Sequence, residues 1–353
     1  MSQNERTRQA LIQHYQSYPN LQIQDLFKFL YQSAFGCEHF VSSTDTAIRL
    51  IEQEYHSLCR KTATAIEPLD GDYSRVPVSY LGNGLSASTF GKLFVASAQP
   101  LQNGMASLLQ KLSVAKQVVH EGLLPFSEKE FEKAIEEWKG QGYPSIHHSD
   151  LFRKSYCPAY RVISNKYLPF LPLFAELDQR LANGKVVFAL EGGSASGKTT
   201  LSKRLESIYD CTVFHMDDFF LQPHQRTPER FATIGGNIDW ERFLLEVLLP
   251  LSKGENITYK RFDCSTFRLS KEIQVSPQRL VVVEGVYSMH PELEKFYDFS
   301  AFLEISHEQQ KERILRRNSP TLAQRFFNEW IPLENQYFEA TQIKQRCDLT
   351  IPI

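Results

Sequence analysis

Residues 186–199 read Val-Val-Phe-Ala-Leu-Glu-Gly-Gly-Ser-Ala-Ser-Gly-Lys-Thr, an apolar run that leads into a glycine-rich loop. The last eight residues fit the pattern GxxxxGK[ST], which cradles the phosphates of a nucleotide. Leu201, Leu205 and Ile208 follow at helical spacing and would give a helix an apolar face for docking on a sheet. A strand, a loop and a helix in this order predict a nucleotide-binding phosphate loop rather than a glycine-rich turn with a surface lysine.

The residue types of this loop suit a polyphosphate. Glycines let backbone N–H groups turn inward around an anion, and the following helix points the positive end of its dipole at the same place. Lys198 adds a mobile cation, and the Thr199 hydroxyl can ligate the Mg²⁺ that accompanies a nucleoside triphosphate. The predicted nucleotide-binding residues are Gly192, Gly193, Ser194, Ala195, Ser196, Gly197, Lys198, Thr199 and Thr200.

Length and composition set broad limits on the protein. Its 353 residues, 42% of them hydrophobic, suffice for two domains with separate cores. A formal net charge of −2 without a long Lys/Arg block gives no sign of a nucleic-acid or membrane partner. Six scattered cysteines, no signal-peptide pattern and no apolar run of about 18 residues favour a cytoplasmic protein. The oligomeric state stays open, with a homo-oligomer among the alternatives.

Residues 1–183 are predicted to form a mostly α-helical domain. Apolar residues recur at helical spacing in segments 47–58 and 105–115. Ser127 and Glu130 form a capping box ahead of a further amphipathic helix, for which Gly140 is a plausible stop. A proline-punctuated stretch, a short helix and the turn at Asn183 then predict the domain boundary near that residue.

Residues 184–353 change to short β-branched runs separated by helices, which predicts an α/β domain. Runs that are apolar throughout indicate strands buried on both faces, as in a parallel sheet covered by helices. In such sheets, ligands bind at the carboxyl ends of the strands. The predicted strands are 186–190, 211–215, 280–283, 301–305 and 349–353.

Acidic residues follow two of these strands, where a phosphoryl-transfer enzyme needs them. Asp217 and Asp218 come after the second strand, and a carboxylate there can accept the proton of an attacking alcohol. A helix N-cap is the alternative for either residue. Glu284 follows the third strand and can orient Mg²⁺ directly or through water.

Arginines gather on one side of another predicted helix, whose start is indicated by Ser306 and Gln309. Arg313, Arg316 and Arg317 lie at i, i+3 and i+4. Guanidinium groups so arranged can stabilise the charge that spreads over a transferring phosphoryl group. A solvated basic face is the alternative interpretation.

Several stretches, taken in order, resemble the uridine kinase and phosphoribulokinase family. They are GGSASGKTT at 192–200, the strand end with Asp217, the segment 237–243, Val-Glu-Gly at 283–285 and the ending Cys-Asp-Leu-Thr-Ile-Pro at 347–352. The resemblance covers residues 184–353, and only the phosphate loop is specific by itself. It implies a P-loop kinase domain with a five-stranded parallel sheet flanked by helices, ATP and Mg²⁺ as cofactors, and a nucleoside such as uridine or cytidine as acceptor.

The resemblance also implies catalytic roles, position by position. Asp217 matches the catalytic base. Thr199 and Glu284 match magnesium ligands, and we add Asp217 to this predicted metal set. Lys198 acts with them by neutralising the charge that develops on the phosphates.

Further matches concern the acceptor and the lid. Asp239 matches the carboxylate that holds the sugar hydroxyls of the acceptor, while Arg313 and Arg316 match the lid arginines. Asp263 lies in a stretch that lacks the histidine with which the family reads a pyrimidine, so we keep it as a substrate-binding candidate and leave the base open. The lid lacks an Arg-Gly-Arg piece, for which Arg325 is a substitute unless the lid is shorter. Another nucleoside or a different hydroxyl compound therefore stays an alternative acceptor.

Polar clusters of the first half resemble no family. Residues 37–39 (Cys-Glu-His) and 147–150 (His-His-Ser-Asp) are of types that bind zinc or iron, but their spacing fits no metal motif. Helix caps and hydrogen-bonded histidines are the favoured interpretation. Arg75 and Arg161 lie in segments that can form an anion site or, equally, a turn with a surface ion pair.

The leading functional hypothesis is an ATP- and Mg²⁺-dependent kinase, a phosphotransferase with an alcohol group as acceptor. A GTPase switch is a rival, although no guanine-reading NKxD motif follows the loop. A second rival is a regulatory protein that senses a nucleotide without transferring phosphate. A protein or a cofactor precursor is a third kind of acceptor. For the first half, three roles stay open: recognition of an acceptor, regulation of the kinase, and a second activity.

Overall fold

The computed structural model describes residues 2–37, 43–60, 62–98 and 103–353. The chain divides into two compact units, Met1–Ala175 and Glu176–Ile353. The division falls inside the helix Leu171–Asn183, slightly before the boundary predicted from the sequence. His39 lies outside the described residues, so the structure does not bear on its role.

Helices dominate the described part of the first unit, as predicted. The predicted cap at Ser127 is confirmed, since its side chain accepts the backbone N–H of Glu130 and the helix ends at Gly140. The helices are α1 Gln3–Ser17, α2 Ile23–Phe35, α3 Thr44–His56, α4 Ala87–Ser97, α5 Gly104–His120, α6 Glu128–Gly140 and α7 Asp150–Tyr156, with α8 Leu171–Asn183 leading into the second unit.

A small antiparallel sheet, which the sequence did not predict, joins these helices. Among the described residues it consists of β1 Glu67–Pro68, β2 Tyr73–Pro77 and β3 Tyr160–Ser164, in that order. Every residue of β2 is buried, and Arg75 is only 2% exposed. The alternative of a surface turn at Arg75 is therefore wrong, because its charge is paired inside the unit with Glu67, 3.0 Å away.

The second unit is built on a parallel sheet of five strands, which confirms the α/β prediction. The order across the sheet is β12-β11-β4-β10-β5, and all four neighbouring pairs are parallel. Two short antiparallel pairs, β6 with β9 and β7 with β8, were not predicted. The strands are β4 Val186–Gly192, β5 Cys211–His215, β6 Ile257–Tyr259, β7 Phe262–Asp263, β8 Arg268–Leu269, β9 Ile273–Val275, β10 Leu280–Glu284, β11 Phe299–Glu304 and β12 Leu349–Pro352.

Helices flank this sheet, and two of the helical stretches contain a π-helical turn. The turns are Leu244–Leu248, between α11 and α12, and Phe326–Trp330, between α14 and α15. The helices are α9 Lys198–Ile208, α10 Pro228–Ala232, α11 Trp240–Phe243, α12 Leu249–Ser252, α13 His307–Arg317, α14 Pro320–Arg325, α15 Ile331–Thr341 and α16 Ile343–Arg346. Across the described residues, no helix combines the length and apolarity that crossing a membrane requires.

The strand register brings three strand ends together at one edge of the sheet. Glu284, the last residue of β10, pairs with Leu190 of β4 on one side and with His215 of β5 on the other. All five residues of β10 are buried, because helices cover both faces of the sheet. The residues that follow β4, β10 and β5 therefore share the edge where parallel sheets bind ligands.

Candidate active site

The loop after β4 has a backbone that only particular residues tolerate. Gly192, Ala195 and Gly197 have φ angles of 145°, 62° and 102°. A Cβ at Gly192 would lie 2.7 Å from the carbonyl oxygen of Leu303, so glycine is required there. The loop ends at Lys198, the first residue of α9, and its backbone leads into the positive end of that helix.

Lys198 lies against this loop. Its Nζ donates to the carbonyl oxygens of Gly192, at 2.7 Å, and Gly193, at 3.0 Å, and the residue is buried. These two hydrogen bonds hold the amino group beside the loop. The arrangement suits a lysine that exchanges these carbonyls for phosphate oxygens.

A carboxylate and a hydroxyl meet next to the loop. Thr199 Oγ1 donates to Glu284 Oε1 at 3.0 Å, and His215 Nδ1 lies 2.6 Å from the same oxygen. Burial acts to raise the pKa of Glu284, but His215, Lys198 and Thr199 together lower it below its usual range, so the carboxylate is ionised. The hydrogen bond to Glu284 in turn raises the pKa of His215.

Asp217 lies in the helical turn Met216–Phe219, directly after β5. Its side chain is exposed and accepts no hydrogen bond from any residue that the structure describes. The protein around it nevertheless raises its pKa by desolvation, against the lowering effect of Lys198. Asp218 instead pairs with Arg261, 3.1 Å from Nε to Oδ2. Neither aspartate caps a helix, so that alternative is wrong.

Side chains of α13 and α15 hold the loop from outside. Arg313 donates to the carbonyl oxygens of Ala195, at 3.2 Å, and Ser196, at 3.3 Å. Ser194 is bound by two residues that the sequence analysis missed. Gln310 donates to its carbonyl at 2.9 Å, and Glu334 accepts its backbone N–H at 2.8 Å as well as its hydroxyl proton.

Of the two predicted lid arginines, the structure brings one to the loop. Arg313 reaches it, whereas Arg316 is exposed and has no partner in the described part of the chain. The predicted start of α13 at Ser306 is confirmed, since that side chain accepts the Gln309 backbone N–H. Arg325 pairs with Glu329 on its own helical stretch.

The two predicted acceptor residues are bound within their own segments. Asp239 is buried and caps α11, accepting the backbone N–H of Arg242 at 3.2 Å and the side-chain amide of Gln225 at 2.9 Å. Asp263 is exposed on β7 and accepts three hydrogen bonds from Ser265 and Thr266, which lower its pKa to about 2. Acceptor binding by either residue stays a prediction.

Glu191, immediately before the loop, is a further residue that the sequence analysis missed. It is fully buried and accepts the backbone N–H groups of Gly192, at 2.9 Å, and Met289, at 3.1 Å, and the Tyr337 hydroxyl at 3.3 Å. Burial raises its pKa to about 7 despite these donors. Glu191 thus ties the start of the loop to the segment that follows β10.

The polar cluster at 147–150 in the first unit follows the favoured interpretation. Ser149 caps α7, and His148 is hydrogen-bonded to Asp25 at 3.0 Å, while His147 is exposed. Among the residues that the structure describes, no three His, Cys, Asp or Glu side chains converge to hold a metal ion.

No family model matches the chain. A uridine kinase from Chlamydia pneumoniae is 28% identical over 144 residues, 37% of this chain and 62% of that enzyme, so the match spans less than two thirds of the relative. A uridine kinase from Brevibacillus brevis is 25% identical over 182 residues, 47% of this chain and 84% of the relative. A phosphoribulokinase from Synechocystis is 27% identical over 131 residues, 35% of this chain and 39% of the relative.

Among solved structures, a protein described as a possible uridine kinase from Bacillus stearothermophilus covers 48% of this chain, with 89% of its own length matched, 24% identity and a TM-score of 0.38. The chain is thus similar, at modest identity and over about half of its length, to uridine kinases and a phosphoribulokinase. This confirms the resemblance predicted from the sequence.

Proposed function

We propose that this protein is an ATP- and Mg²⁺-dependent kinase that transfers the γ-phosphate to a hydroxyl group of a small molecule, a nucleoside of the uridine or cytidine type. The observation that carries the proposal is the grouping of Lys198, the Thr199–Glu284 pair and Asp217 at one edge of the sheet, after β4, β10 and β5. The named activities of the similar proteins agree with this chemistry.

The donor set at this edge fits Mg²⁺, which prefers oxygen ligands and binds through one or two carboxylates. Glu284 Oε1 already accepts from Thr199 and His215, which leaves its second oxygen for a metal. Thr199, Glu284 and Asp217 are the residues that would hold the ion. When bound, Mg²⁺ supplies positive charge to the phosphates of ATP.

The chain's own residues would then divide the work of phosphoryl transfer. Lys198 and the N-terminus of α9 bind the phosphates and stabilise the charge that develops on them. Asp217 holds the acceptor hydroxyl and takes its proton, since its carboxylate accepts no hydrogen bond from the described residues and is free to do so. Arg313 anchors the outer side of the loop and adds charge next to it.

Transfer of label from [γ-³²P]ATP tests the proposal. The full chain is incubated with Mg²⁺ and, in separate reactions, uridine, cytidine, other nucleosides, sugars and vitamins, and the products are separated by thin-layer chromatography. We expect label on a nucleoside, absent when Mg²⁺ is chelated. Label on another alcohol would support the proposed kinase activity and show that the acceptor is not a nucleoside. ATP binding without labelling of any acceptor would contradict the proposal and favour a nucleotide sensor.

A further inference from the structure

The first unit contains a cavity of about 320 Å³ that the proposed kinase reaction does not use. Its apolar lining includes Ala47, Leu50 and Phe94, and its polar lining includes Lys28, His148, Tyr160 and Arg161. A second cavity, of about 520 Å³, shares Lys28, His147 and His148 with it. Cavities of these sizes, with an apolar wall and a few convergent polar groups, are typical of small-molecule sites.

The described lining of this cavity includes the basic side chains Lys28 and Arg161 and no aspartate or glutamate, and Glu54 pairs with Arg161 from outside that lining. Arg161 uses one nitrogen, Nη1, to donate to Glu54 at 2.6 Å and to the Tyr160 carbonyl oxygen at 2.9 Å. Its Nε and Nη2 donors have no hydrogen-bond partner within the described ranges, so the guanidinium can still bind an anion.

Lys28 is a second basic residue of this cavity, and its surroundings disfavour its charged form. Its Nζ donates to the carbonyl oxygen of Ile146 at 3.0 Å. Burial is the main reason that its pKa falls to about 8, and the charges of Arg75 and Arg153 lower it further. An anion in the cavity would offset this repulsion.

A buried carboxylate fixes the protonation of the neutral polar groups. Asp25 accepts from His148 Nδ1 at 3.0 Å, from the Ser149 backbone N–H at 2.9 Å and from the Ser149 hydroxyl at 2.7 Å. Burial lowers the pKa of His148 to about 3, so the ring is neutral with its proton on Nδ1. His148 Nε2 therefore accepts the Tyr160 hydroxyl proton at 2.6 Å. The phenol oxygen keeps acceptor capacity for a hydroxyl of a ligand.

We propose that this cavity is a binding site for a small hydroxylated organic anion. Its carboxylate or phosphate group would pair with Arg161 and Lys28, a hydroxyl would donate to Tyr160, and its carbon skeleton would lie against Leu50 and Phe94. The site belongs to the first unit alone and does not depend on the kinase activity proposed for the second.

Isothermal titration calorimetry on the full chain tests this site with two probes, gluconate for a carboxylate and ribose 5-phosphate for a phosphate, and with neutral ribose as the control ligand. We expect at least one charged probe to bind and ribose not to bind. Arg161→Gln should weaken that binding by about tenfold or more, since it removes a charge-assisted contact. Arg49→Gln, an exposed arginine on α3, is the matched control and should leave binding unchanged.

A second variant keeps the test decisive if Arg161→Gln fails to fold. Leu50→Trp fills the cavity from a residue that is 48% exposed, and we expect it to block binding without disturbing the Asp25 network. Binding that survives both variants would overturn the proposal. The same holds if neither charged probe binds, or if the only binding observed is that of ribose 5-phosphate and it is abolished by Lys198→Ala but by neither Arg161→Gln nor Leu50→Trp.

Discussion

The phosphate loop of the second unit and the Asp25 network of the first unit both bury charged groups, but they hold them differently. In the loop, Lys198 donates to two backbone carbonyls that lie five and six residues before it. In the network, Asp25 binds His148 and Ser149, more than 120 residues further along the chain. A site made from local backbone depends on a few glycines, whereas a site made from distant side chains depends on each of them.

Glu67 of the first unit and Glu191 of the second also differ in the direction in which their surroundings shift their pKa values. In the first unit, burial acts to raise the pKa of Glu67, but Arg75 and the hydrogen bond from His14 lower it to about 2, and burial lowers the pKa of His148 to about 3. In the second unit, burial raises the pKa of Glu191 to about 7. In the first unit, the ionised carboxylate of Glu67 is paired with Arg75. In the second unit, the fold disfavours ionisation of the Glu191 carboxyl group.

The largest expected effect belongs to Asp217, at the sheet edge of the second unit where we propose that the reaction takes place. Asp217→Asn removes the proposed base, and we expect kcat to fall by about 10³-fold with ATP binding retained. The assay is transfer to the acceptor identified by the label experiment, with ATP binding measured by calorimetry. Asp210→Asn is the control, an exposed aspartate just before β5 at the opposite end of the strand. Unchanged turnover in Asp217→Asn would remove this residue from the mechanism.

Lys198→Ala should produce the next largest effect, because we propose that this cation stabilises the transferring phosphate. We expect kcat/KM for ATP to fall by about 10²-fold. Steady-state kinetics with varied ATP measure it, with Lys203→Ala as the control on the exposed side of α9. Equal kinetics in the two variants would show that the loop does not hold the phosphates as we propose.

Asp25→Asn alters the Asp25 network of the first unit and should lower the stability of that unit. An amide at this buried position loses the charge-assisted hydrogen bonds of the carboxylate, and its NH₂ group faces the N–H and O–H donors of His148 and Ser149. We expect this to lower the free energy of unfolding by about 2 kcal/mol. Urea unfolding followed by Trp138 fluorescence, with Trp240 and Trp330 replaced by Phe, reports on the first unit. Exposed Asp72→Asn is the control. A loss no greater than that of the control would mean that the network is not needed for the fold.

The smallest expected effect is an opposite response of the two units to acid. His148 has a folded pKa of about 3 against its ordinary 6.5, so its contribution is present above pH 6.5 and is lost as the pH falls towards 3. Glu191 has a folded pKa of about 7 against 4.5, so its contribution is present below pH 4.5 and is lost as the pH rises through 7.

Between pH 7 and pH 5 the first unit should therefore lose stability and the second should gain through Glu191, each on the order of 2 kcal/mol. Single-tryptophan variants that keep either Trp138 or Trp240 resolve the two units during urea unfolding. His148→Gln should flatten the response of the first unit, and Glu191→Gln that of the second. If the free energy of unfolding changed in the same direction in both units between pH 7 and pH 5, the proposed difference between the units would be wrong.

The parts of the molecule that could be predicted from the sequence are those set by local patterns. Continuous apolar runs predicted the five parallel strands, and cap residues such as Ser127 and Ser306 predicted helix starts. The small sheet of the first unit was missed because β1 has two residues and β2 and β3 are far apart in sequence. β1 is too short to show a periodicity, and β2, which reads Tyr-Ser-Arg-Val-Pro, is not a continuous apolar run.

The same limit applies to the candidate site. The loop itself is a contiguous motif, but Glu334 reaches Ser194 across 140 residues, a contact that only tertiary packing creates. Helical spacing placed Arg313 and Arg316 on one side of α13, yet only Arg313 binds the loop backbone. Asp239 is of a residue type that commonly caps helices, but the sequence analysis assigned its carboxylate to the acceptor and did not consider the start of α11.

The central claim is that the loop at 192–199 holds the phosphates of ATP beside Asp217. A crystal structure with Mg²⁺ and a nonhydrolysable ATP analogue tests it most directly. We expect Lys198 Nζ to leave the carbonyls of Gly192 and Gly193 for phosphate oxygens, with the metal at Thr199, Glu284 and Asp217. An analogue bound elsewhere, or a loop whose lysine still contacts its own carbonyls with the nucleotide present, would contradict it.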